Sequence, residues 1–263
     1  VSTRQSDFCI QEISKFKKYN NRVIPVVSYL TEAPSLERIS YETEAFRKEF
    51  PKLAFRIKTQ DFENVFSHVE SLIKENDIVL LDIESASYTN PVFKKLYGRI
   101  ADSRKRLNFI SIILNSNRPD NLTNKEMADK EPIAKIDNGL KELYSIPSMR
   151  RFDGFGDYAG IVASLPSTGG SISPAGIFYS NDNNYFVAYK GRAPILSEFP
   201  LYIAPSIIAS EYWNEYEDEH HNICPGCQEI LSIVKGEKSG KNQAQWKMIM
   251  MLHYIYTVFE AEK

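Results

Sequence analysis

Cysteine is scarce in this chain: Cys9, Cys224 and Cys227 are the only three. An odd, sparse count excludes a disulfide framework and fits a reducing compartment. Long apolar runs are missing, and none approaches the roughly 18 residues of a membrane span, so no membrane partner is expected. The first residues, Val1-Ser2-Thr3-Arg4-Gln5, form no apolar signal core, which makes the cytoplasm the expected location. An initiating methionine is missing too, so a processed or partial chain is expected. A surplus of one charge is lacking: 32 Lys and Arg against 34 Asp and Glu leave a net −2. That balance excludes a wholesale polyanion binder, since phosphate affinity needs surplus cations at least locally. Internal repeats and low-complexity tracts are absent.

What is present describes an ordinary globular protein. The 263 residues are 43% hydrophobic and 25% charged. That length can bury a substantial core as one large domain. Short apolar runs alternate with helical patterns through the first half. Val23–Tyr29 is β-branched and reads as a strand, although Pro25 is unsuited to a central position. Ser35–Phe50 reads as a helix with Ser35 as its cap. Leu53–Lys58 reads as a strand, Asp61–Lys74 as a helix, and Asp77–Ile83 as a strand covered on both faces. Pro91–Asp102 reads as a helix, Leu107–Leu114 as a buried strand, and Glu131–Tyr144 as a fourth helix. Phe155–Ala163 and Ala175–Lys190 read as strands, the second broken by a turn-rich connection at 180–184. Helices follow at Ser206–Glu217, Cys227–Val234 and Ala244–Phe259.

Strands alternating with helices imply parallel pairing through right-handed crossovers. The expectation is an α/β protein: a single (β/α) barrel-like domain over 1–263, with a strand and hairpin segment at 155–192 and C-terminal helices at 206–263 packed on it. Phe8–Tyr19 reads as a helix with no strand before it, so the barrel is expected to be incomplete at its start. An open doubly wound sheet is the competing architecture.

In either architecture chemistry gathers at the C-terminal ends of strands. Asp82 and Glu84 lie two apart on one strand and project to the same face. With Asp153 and Asp157 they form a candidate catalytic set around a divalent cation; the plainer alternative has Asp82 capping a turn and Glu84 meeting solvent. Arg150–Tyr158 is the densest polar, aromatic and glycine segment. Arg151 and Tyr158 there, with Lys190 and Arg192 at a later strand end, are candidate ligand-binding residues, the arginines clamping a phosphate or carboxylate. The alternative is a strand opening with a glycine bulge. His220-His221-Asn222-Ile223-Cys224-Pro225-Gly226-Cys227 holds the knuckle spacing that lets two thiolates grip one metal. Cys224, Cys227, His220 and His221 are the candidate zinc ligands, with no fourth ligand evident nearby; Cys9, His68, His253 or a carboxylate would have to arrive through the fold. A helix–helix turn and a redox dithiol are the other two readings. His253, on the apolar face of the last helix, reads as a core histidine. No Ser/His/Asp or Cys/His catalytic set can be assembled from spacing.

Several segments carry a family likeness. Gly154-Phe155-Gly156-Asp157-Tyr158-Ala159 resembles the "GF-x-DY" motif of the bacteriophage beta-protein family and its bacterial relatives. Pro174–Lys190 resembles that family's hairpin, Gly240–Ile255 with Trp246 and His253 its closing "G…W…H" helix, and Ile24–Val27 its "IPII" strand. The chain departs from the pattern where Tyr254 stands in place of a frequent second histidine. The resemblance implies a barrel-like α/β fold and no established reaction. It also implies a place in phage or mobile-island gene clusters, and so an accessory role in antiviral defence with a protein partner encoded nearby or with nucleic acid. The alternative expectation is a metal-assisted hydrolase of a phosphodiester or nucleotide substrate.

Overall fold

The computed structural model describes residues 2–29, 35–115, 123–135, 151–158, 174–180, 185–214, 216 and 218–261. The chain is an α/β protein. Its contacts group into two compact units, one of Val1–Asn115 with Gly139–Gly156 and one of Ser116–Asn138 with Asp157–Lys263. No helix among the described residues is long and apolar enough to cross a membrane.

The first unit opens on helix α1 (Ser2–Ser14) and then alternates strand and helix: β1 (Val26–Ser28), α2 (Leu36–Arg47), β2 (Ala54–Lys58), α3 (Phe62–Leu72), β3 (Ile78–Asp82), α4 (Lys94–Leu107) and β4 (Ile110–Leu114). After β5 (Pro132–Lys135), which belongs to the second unit, β6 (Gly154–Gly156) returns to the first. The five strands pair in parallel in the order β1-β2-β3-β4-β6. Register places Lys58 beside Asp82, Asp82 beside Leu114, and Leu114 beside Gly156, so these positions share the C-terminal edge. Among the described residues the sheet stays open, with β1 and β6 at its ends.

The local reasons are visible in the sequence. Pro25 lies just outside β1, and β1 is an end strand, so the missing N–H costs no ladder bond. Ser35 caps α2 by accepting a 3.1 Å hydrogen bond from the Arg38 N–H. Asn108 ends α4 in the left-handed conformation, φ 53°, and the last turn carries Arg104, Lys105 and Arg106. Phe46, Phe55, Ile57, Phe62, Phe66, Leu81, Ile100 and Ile113 form the heart of the core.

The second unit is built differently. β5, β8 (Tyr185–Lys190) and β7 (Gly176–Ser180) form an antiparallel sheet in that order. β7 and β8 pair from Gly176 with Lys190 to Ser180 with Phe186, as a hairpin requires. Its connection at 181–184 lies outside the described residues, as do 159–163 of the expected strand Phe155–Ala163. The helix expected over Glu131–Tyr144 is corrected: residues 132–135 are strand β5, and 136–150 lie outside the described residues. Antiparallel pairing with β8, at least fifty residues on, overrides the local helical pattern; β5 is an end strand, which tolerates Pro132. Helical structure also begins earlier than Ser206. A π-helical turn at Phe199–Ile203 runs into α5 (Ala204–Ile208). Ser210 then breaks the run and caps α6 (Glu211–Asn214), its Oγ accepting from the Trp213 N–H at 3.2 Å. α7 (Asp218–Ile223), α8 (Pro225–Val234) and α9 (Gln243–Ala261) follow. Ile177, Tyr179, Val187, Tyr189, Phe199, Ile203, Trp246 and Ile249 share this unit's core.

Candidate functional site

In the second unit the C-P-G-C segment joins α7 to α8. Pro225 opens α8 at the position where a missing N–H costs nothing. Cys224 stands in extended backbone just before it, and Cys227 lies in the first turn. Both sulfurs therefore sit at one helix N-terminus. His220 lies on α7, whose chain is tied to the knuckle by the Cys224 N–H donating to the His220 carbonyl at 2.8 Å. Gly226 explains why α9 can join them. A Cβ there would stand 2.7 Å from both the His253 nitrogen and the Ile249 carbonyl oxygen, backbone atoms that cannot yield. Glycine lets α8 seat directly on α9 at His253.

The result is a cluster of four donors. One ligand atom each from His220, Cys224, Cys227 and His253 lies within 4.8 Å of all the others. Cys224, Cys227 and His253 are fully buried. His253 Nε2 is 2.9 Å from the Ser180 carbonyl oxygen, which can only accept, so Nε2 carries the proton. Its other nitrogen, Nδ1, sits 3.5 Å from both sulfurs. Rings are fixed by stacking: Tyr179 on His253 at 4.5 Å and Tyr216 on His220 at 4.3 Å. The Cys227 thiol donates to Cys224 and holds the Cys224 thiol well below its ordinary range, with His220 and His253 adding to the effect. Cys227, as that donor and a buried group, is pushed up.

Of the sequence-derived ligands, the structure brings together His220, Cys224 and Cys227. It places His221 elsewhere: that ring stacks on Trp213 at 4.1 Å and its Nε2 lies 3.1 Å from the Trp213 carbonyl oxygen. Burial pushes the His221 pKa down. The fourth donor is His253, which reads from sequence as a core histidine. The signals that point to it are the glycine inside the knuckle and the "G…W…H" pattern of the last helix.

The strand-end acids are arranged otherwise. Asp82, fully buried, accepts from Arg56 Nε at 2.9 Å and a second guanidinium nitrogen at 2.5 Å. Its other oxygen accepts from the Glu84 N–H at 2.9 Å. Glu84 adopts a left-handed backbone, φ 51°, and pairs with Lys58 at 2.7 Å. Asn115 holds this turn by donating to the carbonyls of Glu84 and Ala86 at 2.8 and 2.9 Å. Asp153 precedes β6 and accepts from the Ser111 N–H at 2.8 Å, with Arg104 at 2.9 Å on its other oxygen. It therefore stands at the opposite end of the strands from Asp82, because Ser111 is the second residue of β4 while Leu114, beside Asp82, closes it. Asp157 belongs to the second unit and accepts from the Tyr254 hydroxyl. Among the described residues these four acids form no shared ligand set.

The ligand-binding candidates are also dispersed. Arg151 is exposed and lies near Tyr88, in the first unit. Tyr158 falls in the second unit and is partly exposed. Lys190 and Arg192 come close to each other around Asp129 and Tyr202. The Lys190 N–H donates to Asp129 at 2.8 Å, Tyr202 donates to the same carboxylate at 2.5 Å, and the Arg192 guanidinium lies 4.2 Å from the Tyr202 ring centroid. Arg192 also donates to Glu198 through its backbone at 2.8 Å.

A family model described as Beta protein matches residues 3–260, almost the whole chain. The chain belongs to the Beta protein family. No curated protein and no solved structure matches it. Within this Beta protein the family-like segments carry distinct parts of the architecture. Gly154–Gly156 is the last strand of the parallel sheet, 176–190 is the hairpin, and α9 presents Trp246 to the core and His253 to the two cysteines.

Proposed function

We propose that this Beta protein is an accessory binding protein of a phage-defence or mobile-element gene cluster, acting in the cytoplasm on a protein partner encoded nearby. One observation carries the preference for binding over catalysis: the strand-end acids are each engaged by a group of the chain itself. Asp82 is held by Arg56, Glu84 by Lys58, Asp153 by Arg104 and Ser111. A carboxylate already neutralised by a cation on the neighbouring strand is a poor cation ligand, because binding a metal means giving up that pair. The family likeness supports the phage connection. The consecutive strand order β1-β2-β3-β4-β6 supports a barrel-like winding of the first unit, since a doubly wound sheet reverses its order part-way.

The hydrolase reading keeps one point in its favour. Glu84 is a non-glycine residue in left-handed backbone at a strand end, a conformation that recurs at active sites. In that reading nucleic acid or nucleotide is the substrate and Glu84→Gln abolishes turnover.

The test is affinity capture of the tagged chain from its native host, with phage plating on a deletion strain. The expected result is one co-purifying neighbour-encoded protein and a changed plating efficiency. No partner and unchanged plating would count against the binding role, and phosphodiester cleavage lost in Glu84→Gln would replace it with the hydrolase.

A further inference from the structure

We propose that the second unit binds one zinc ion through His220, Cys224, Cys227 and His253, as a closed structural site. Four arguments converge on it. The first is spacing. Zinc bonds of about 2.3 Å to sulfur and about 2.0–2.1 Å to nitrogen, at the tetrahedral angle, separate S from N by about 3.6 Å. His253 Nδ1 stands 3.5 Å from each sulfur. The second is hydrogen-bond accounting. His220 Nε2 is buried and has no hydrogen-bond partner. The two thiols place their two protons among two sulfurs and the facing ring nitrogens, and as arranged none reaches His220 Nε2. Exchanging both thiol protons for one divalent cation gives every donor atom a partner. It also cancels the charge of two buried thiolates.

The third argument is donor chemistry. Two sulfurs and two imidazoles select zinc over magnesium or calcium, which take oxygen ligands. Four protein donors leave no position for water or substrate, which marks a structural site. The fourth is the surrounding support. The Ser180 carbonyl accepts the His253 Nε2 proton and aims Nδ1 at the sulfurs, the arrangement that orients metal-bound histidines. The site thereby fastens α7, α8, α9 and the end of β7 with a single ion.

The experiment measures metal in the full-length chain purified under reducing conditions, and repeats the optical spectrum with cobalt(II) in place of zinc. Expected are one zinc per chain and the intense visible and near-ultraviolet bands of tetrahedral cobalt bound to thiolate. His221→Ala is expected to keep its zinc, while Cys227→Ser and His253→Ala lose most of it. Should those two variants fail to fold, the cobalt spectrum of the unaltered chain decides alone. Folded chain with less than half an equivalent of zinc, weak octahedral cobalt bands, a Cys224–Cys227 disulfide in the reduced preparation, or loss of zinc in His221→Ala overturns the proposal.

Discussion

Single residues carry much of this protein's specificity through backbone contacts made by side chains, and the missing side chain of Gly226 is one of them. Gly226→Ala drives a methyl group into the backbone of α9, so α8 must lift away from His253. Overpacking of this kind costs about 1–3 kcal/mol. Urea unfolding of Gly226→Ala is expected to show at least that loss, together with reduced metal content; an unchanged midpoint would mean the two helices are not seated as described. Asp77 is the counterpart in the first unit. Fully buried, it accepts from the Leu53 N–H at 3.0 Å, the Lys74 N–H at 2.8 Å and Arg47 at 2.7 Å. It therefore ties the starts of β2 and β3 to α2. Removing one member of such a buried pair leaves the other charge unpaired and costs about 3–5 kcal/mol. Asp77→Ala is expected to lose that much in chemical denaturation, with no change in metal content.

Among elements, the parallel β/α units were legible because each strand is a short, nearly continuous apolar run set between amphipathic helices. Ser35 was legible as a cap for a similar local reason, and Ser35→Ala is expected to destabilise the chain by about 1 kcal/mol, read from its unfolding midpoint. The element missed is β5. Three of its four residues pair with β8 far along the chain, and no local period announces a strand whose partner is that distant. The candidate site divides the same way. C-P-G-C is a local signal and pointed to two ligands and a turn. His253 lies 26 residues beyond Cys227 on an apolar helical stripe, where a ligand and a core histidine look alike in sequence. Choosing between His220 and His221 needed the α7 turn, which hands His221 to Trp213. Asp82 ends β3, whereas Glu84 lies two residues past it in left-handed backbone rather than on the same strand face; the cations that neutralise the pair, Arg56 and Lys58, stand on β2. That pairing follows from strand register, which sequence does not supply.

At the scale of the whole molecule, the two compact units differ in what holds them. The first rests on a parallel sheet with an aromatic-rich core and buried ion pairs. The second combines a small antiparallel sheet with helices gathered around the His/Cys cluster. Metal binding that occurs only in the folded state stabilises that state. Treatment with a strong zinc chelator is therefore expected to speed hydrogen exchange in β7, α7, α8 and α9 while β1 to β4 keep their protection; uniform change, or none, would separate the cluster from the stability of its unit. The most direct test of the metal centre is X-ray absorption at the zinc edge of the purified chain. The expected first shell is two sulfurs at about 2.3 Å and two nitrogens at about 2.0–2.1 Å. A shell of oxygen and nitrogen alone, or a folded chain free of zinc, would contradict it.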